Sequence, residues 1–186
     1  MDKVLVVDML KYLHENKLNS IFDGNISWKK RNDKGFNITP SSVRKCDLTI
    51  DDIVYVDENM VQHNGVASRE MMFHKMIIED RYNDDIHIVH CHPPNTVAYV
   101  GLNQYKELET LKELFPELNI KIGPNVPFLS AGSSELAKSV AQNVRNCDIV
   151  VLENHGVVAV GTSLVKAVDI IETVEFYAHI ANIAKH

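Results

Sequence analysis

The stretch Ile86-His87-Ile88-Val89-His90-Cys91-His92, closed by Pro93 and Pro94, decides how the chain is read. The β-branched Ile86, Ile88 and Val89 favour a strand. The two prolines cannot donate to a ladder, so the strand ends with them. Side chains alternate along a strand, which sends His90 and His92 to one face and Val89 and Cys91 to the other. A third imidazole, His155, stands at the end of a second apolar run, Ile149-Val150-Val151-Leu152, directly before Gly156. Two imidazoles on one face, met by a third from a neighbouring strand end, fill three positions of a divalent metal and leave the rest open. Catalytic zinc sites have that form, whereas structural ones are closed and usually rich in cysteine. Taken alone, H-x-H also fits a pair of buried, hydrogen-bonded histidines.

Outward from this strand, the pattern is that of one α/β domain spanning 1–186. Val4, Val7, Leu10, Leu13 and Leu18 recur at helical spacing. Asp23-Gly24-Asn25-Ile26 turns into a strand, and a hairpin through Asn32–Gly35 leads to Phe36–Thr39. Ile53–Val56 and Met60–Gln62 form a second hairpin. A helix capped by Ser68 runs to about Arg81, with Met72, Phe73, Met76 and Ile77 as its apolar stripe. Asn95–Leu114 reads as mostly helical with a break near Gly101, and Gly123–Ser130 as irregular. Ser133 opens another helix. Val157–Val160 continues the strand of Ile149–Leu152 beyond Gly156, and Ser163 caps a long terminal helix. Helices therefore cover a sheet built from hairpins.

Composition narrows the function. The net charge is −6 and no basic stripe is present, which argues against a nucleic-acid partner. No apolar stretch approaches the roughly 20 residues that cross a bilayer, so no membrane partner is expected. The N-terminal run is interrupted by Asp8 and reads as a helix rather than a signal peptide. Three scattered cysteines (Cys46, Cys91 and Cys147) suit a reducing compartment, and a cytoplasmic location is expected.

A metal held by three neutral imidazoles keeps its charge and acts as a Lewis acid on a carbonyl. Proton transfer beside that carbonyl needs a base, and Glu70, at the start of its helix, is the candidate; its bland reading is a first-turn glutamate that stabilises the helix. Gly24-Asn25, the polar turn of Thr39, Ser41 and Ser42, and Ser68-Arg69 at a helix start all suit an anion. His74, one turn after Glu70, is read as packing or hydrogen-bonding in its helix.

The motifs D-G-N-I-S (Asp23–Ser27), I-T-P-S-S (Ile38–Ser42), S-R-E (Ser68–Glu70), H-C-H (His90–His92) and N-H-G (Asn154–Gly156) occur in an order that resembles the class II aldolase/adducin family. The resemblance implies a mainly antiparallel central sheet of about nine strands flanked by helices, assembled as a homotetramer with sites between subunits. It implies His90, His92 and His155 as zinc ligands, although imidazoles also accept manganese or cobalt. It implies Glu70 as the acid/base, and Gly24, Asn25, Thr39, Ser41, Ser42 and Ser68 as holding a substrate phosphate. The implied reaction is cleavage of a ketose 1-phosphate to dihydroxyacetone phosphate and an aldehyde through a metal-bound enediolate.

Arg69 stands where the family's sugar-phosphate aldolases carry a second serine. A guanidinium clamps phosphate or carboxylate, so a 3-oxo-tetronate-4-phosphate decarboxylase is an alternative. A methylthioribulose-1-phosphate dehydratase is another, and a pentulose-phosphate 4-epimerase is a more distant one. A non-catalytic adducin-like module is disfavoured because all three histidines are present. No tyrosine occupies the family's expected proton-donor position, and Tyr105 is the nearest.

Overall fold

The computed structural model describes residues 2–81, 84–101 and 107–184. Among these, seven strands form one sheet: β1 (Asn25–Lys29), β2 (Phe36–Ile38), β3 (Val54–Val56), β4 (Gln62–His63), β5 (Ile86–Cys91), β6 (Ile149–Leu152) and β7 (Gly156–Gly161). Their spatial order is β4-β3-β2-β1-β5-β7-β6, with every neighbouring pair antiparallel. The helices are α1 (Asp2–Glu15), α2 (Met71–Asp80), α3 (Pro94–Gly101), α4 (Leu111–Leu114), α5 (Ser134–Val144) and α6 (Leu164–Ile183).

Both faces of the sheet are covered, so β1, β5 and β6 are buried along their whole length instead of alternating buried and exposed. Val89 and Cys91 of β5 join Ile26, Trp28, Val157 and Ala159 in a core that includes residues of α1, α3 and α6. Ile86 and Ile88 point the other way, into a core shared with Phe73 and Ile77 of α2 and Leu136 and Val140 of α5. That second face is the one His90 belongs to.

The sheet has seven described strands against the expected nine. Part of the reason lies at residues 121–126, which run along β6 but make only two isolated parallel bridges, Ile122 to Ile149 and Val126 to Leu152. Pro124 sits between them without an N–H, so the ladder cannot become continuous. Residues 156–161 also differ from expectation. They do not prolong Ile149–Leu152 but fold back on it, pairing Leu152 with Gly156 and Ile149 with Ala159. Asn154 makes the reversal possible by adopting φ 55°, the left-handed conformation that asparagine tolerates better than most residues.

Helix starts follow the capping rule at two of the three expected places. Ser133 Oγ accepts the Leu136 N–H at 3.1 Å, and Ser163 Oγ accepts that of Lys166 at 3.2 Å. Ser68 does not cap α2: the helix begins at Met71, and Ser68 Oγ instead accepts the Glu70 N–H at 3.3 Å within the preceding turn. The helical stretch expected over 95–114, with its break near Gly101, is described as α3, which ends at Gly101, and as a tight turn at Leu108–Thr110 leading into α4. Tyr105 lies outside the described residues. No helix among the described residues is long and apolar enough to cross a membrane.

One carboxylate joins the terminal helix to the site region. Glu175 of α6 accepts hydrogen bonds from the Asn95 and Thr96 backbone N–H groups and from both of their side chains, at 2.7–2.9 Å. These donors lie in the first turn of α3, where a negative charge is favoured. Glu175→Ala leaves them under-satisfied and is expected to cost about 3 kcal/mol. In thermal unfolding that is a fall of roughly 6–12 °C in Tm. A shift below 2 °C would show that the carboxylate contributes nothing net.

Candidate active site

Strand pairing places the central residues. Asn25 on β1 lies opposite His90 on β5, and His90 lies opposite Val158 on β7. His92 follows β5 directly, its N–H bonded to Leu18 O at 2.9 Å and to Asn19 Oδ1 at 3.2 Å. His155 comes from the β6–β7 turn. The ligand atoms of His90, His92 and His155 all lie within 4.8 Å of one another. Glu70, immediately before α2, completes the group: Oε2 is 3.2 Å from His90 Nε2, and Oε1 is 3.6 Å from His155 Nε2.

Two glycines make this approach possible. A Cβ on Gly156 would stand 2.4 Å from Cys91 O and 2.5 Å from His92 Cδ2, so N-H-G needs glycine for space. Gly24 has φ +73°, and a Cβ there would meet Asn19 Nδ2 at 2.1 Å and His90 O at 2.7 Å. It therefore needs glycine for both backbone conformation and space.

The electrostatics follow from burial and from one ion pair. Burial favours a neutral Glu70, but the positive His90 beside it, its hydrogen bond, the Asn25 amide and His155 override that. The carboxyl is held well below the usual range. Burial likewise works against a charged His90, and Glu70 more than compensates, so its pKa rises. Burial and the positive His90 push His92 down to about 4 and lower His155 as well. Both therefore present neutral imidazoles, the form that ligates metal.

The donor set fits a divalent cation. His90 Nδ1 donates to Val157 O at 2.9 Å, so Nε2 is the nitrogen turned into the site, and without a metal its proton goes to Glu70. That nitrogen lies 3.1 Å from His92 Nε2 and faces the Glu70 carboxylate. Glu70 Oε1 is buried with no hydrogen-bond partner. A divalent cation would displace the proton between His90 and Glu70 and take the converging lone pairs of the three imidazoles.

A cavity of about 340 Å³ opens over this group. Gly24, Asn25, Ser41, Ser42, Ser68 and Arg69 line it, together with Glu70, His92 and His155. Arg69 is exposed and has no ion-pair partner among the described residues. Two of the expected anion-site residues are otherwise engaged. Thr39 is fully buried, does not line the cavity, and accepts the Ile26 N–H on Oγ1 at 3.1 Å. The Asn25 carboxamide is spent on protein partners, donating to Glu70 Oε2 at 3.0 Å and accepting from His74.

Sequence reading missed three contributors. Lys45 is buried in the cavity wall, its Nζ donating to Pro40 O at 2.8 Å. Asn19 holds the His92 backbone. His74 reaches out of its own helix to β1. Only His74 carried a signal, its position one helical turn after Glu70.

An antiparallel α/β fold with an open three-histidine centre and a carboxylate beside it has the form of a catalytic metal site. The model of the class II aldolase and adducin N-terminal domain matches residues 4–182. The chain is 34% identical over 178 residues to the L-fuculose phosphate aldolase of Methanocaldococcus jannaschii, covering 94% of this chain and 92% of that protein. It is 25% identical over 162 residues to an Escherichia coli O45:K1 (strain S88) 5-methylthioribulose-1-phosphate/5-deoxyribulose-1-phosphate aldolase, covering 87% and 74%. A solved L-fuculose 1-phosphate aldolase superposes with a TM-score of 0.82 at 28% identity, covering 99% of this chain and 86% of that one. The chain belongs to the class II aldolase and adducin family, among its enzymes.

Proposed function

We propose that the chain is a zinc-dependent aldolase that cleaves a ketose 1-phosphate to dihydroxyacetone phosphate and an aldehyde. One observation carries this reading: a buried, unpartnered Glu70 oxygen and three converging imidazoles lie at the base of a cavity walled by serines and an arginine. Zinc bound by His90, His92 and His155 would supply Lewis-acid polarisation of the substrate carbonyl. Ionised Glu70 takes up the proton that the C4 hydroxyl releases as the C3–C4 bond breaks and delivers it to C3, and it runs the same transfer backwards in the reverse direction. Ser41, Ser42 and Ser68 offer hydroxyls to the phosphate and Arg69 a forked, charged donor. His92 and His155 also border an apolar shelf made by Pro94, Val97 and Ala98, suited to the aldehyde end.

Arg69 favours a second reading. A guanidinium with no carboxylate partner among the described residues clamps a substrate carboxylate as well as a phosphate, which suits decarboxylation of a 3-oxo-tetronate 4-phosphate. The test is turnover of the zinc-loaded protein on a panel of ketose 1-phosphates, with dihydroxyacetone phosphate assayed directly. Release is expected on at least one sugar, lost with chelator and restored by zinc. No release from a protein holding one zinc per chain removes the aldolase reading, and carbon dioxide from the 3-oxo acid establishes the second.

A further inference from the structure

We propose that His74 is a positioning residue: it fixes the orientation of the Asn25 carboxamide and thereby holds the Glu70 carboxylate in place. The inference deepens the proposed function, and only its kinetic test rests on that reading.

An ionised carboxylate only accepts hydrogen bonds, so the Asn25 atom 3.0 Å from Oε2 must be the amide nitrogen. Oδ1 of Asn25 then faces His74 Nε2, and an oxygen with nothing to donate requires a proton on that nitrogen. His74 Nδ1 lies 2.6 Å from Ser27 Oγ, and in a neutral ring it accepts the hydroxyl proton. Each donor in the chain thus points the same way: Ser27 to His74, His74 to Asn25, Asn25 to Glu70. His74 is fully buried, and burial followed by the positive His90 lowers its pKa to about 3, so the ring stays neutral. Phe73 stacks on it at 4.4 Å, which fixes the ring plane.

The amide of Asn25 could rotate to present either end to Glu70. Rotated, it would set a carbonyl oxygen against a carboxylate oxygen, and Glu70 would swing away from the histidines. With its proton on Nε2, His74 offers that orientation no acceptor; the turned amide would need the ring's other tautomer, with Nδ1–H donating to Ser27 Oγ. A packing histidine would need neither a defined tautomer nor a chain of donors ending on the acid/base.

The first measurement uses the unaltered, zinc-loaded protein: nitrogen-15 NMR of the His74 ring. A protected proton on Nε2 and none on Nδ1 is expected; a proton on Nδ1 overturns the proposal, whatever the substrate proves to be. The second compares His74→Leu with His74→Gln, whose amide places a donor near the lost Nε2. The leucine variant is expected to lose about 10–100-fold in kcat with KM within about threefold, and the glutamine variant to recover most of it. Equal loss in both variants, or none in the leucine variant, overturns the positioning role. Failure of every ketose phosphate while the NMR result holds would refute the aldolase reading and leave this one standing.

Discussion

Glu70→Gln lowers kcat by about 10²–10⁴-fold, the range that a positioned acid/base contributes, while the protein stays folded. The substitution is nearly isosteric. The glutamine carbonyl can still accept from Asn25 Nδ2, as Oε2 does now. The amide nitrogen then falls near His155, where Oε1 lies buried without a partner. An amide cannot carry the proton proposed for Glu70, so turnover stalls while the wall of serines and Arg69 is intact. The effect therefore falls on kcat with little change in KM, the pattern of an interaction made only in the transition state. Circular dichroism and zinc content, measured in parallel, separate this from misfolding. A kcat within threefold of the unaltered protein would remove Glu70 from the chemistry.

Gly156→Ala is expected to damage the metal centre from behind. The added Cβ would lie within 2.5 Å of the Cys91 carbonyl oxygen and His92 Cδ2, and 3.2 Å from His90 Cε1. Backbone cannot yield as a side-chain tip does, so β7 must move off β5 or His92 must turn. Either displaces imidazoles that have to be held to about 0.5 Å. Zinc affinity is expected to fall by at least about 100-fold, the upper range for disturbing a ligand's support. Overpacking adds a loss of about 2 kcal/mol in stability. Competition against a fluorescent zinc chelator reads the first and denaturant unfolding the second. Affinity within threefold of the unaltered protein would show that the hairpin relaxes without moving the ligands.

The metal face was legible in the sequence because a strand has a period of two, which puts His90 and His92 on one side whatever surrounds them. The caps at Ser133 and Ser163 were legible for a similar reason, since each depends on residues within one turn. Ser68 misled because its hydroxyl is taken up by the turn before α2. Residues 156–161 misled because an apolar run after a glycine can extend or reverse, and the reversal is decided by Asn154 and by pairing with β5. Thr39 and Asn25 looked like anion ligands as residue types. Their side chains are committed to Ile26, Glu70 and His74, partners distant in sequence.

By itself, then, the sequence determined the antiparallel α/β class, the residues able to ligate a metal, and the carboxylate beside them. These follow from short-range periodicity and from the chemistry of particular side chains. Tertiary structure alone decided which polar groups remain available to a substrate. Hydrogen-bonding capacity is finite, and contacts between β1, α2 and β5 spend it before any ligand arrives. Lys45 in the cavity wall, Asn19 behind His92, and His74 behind Asn25 and Glu70 became visible only once those elements had packed.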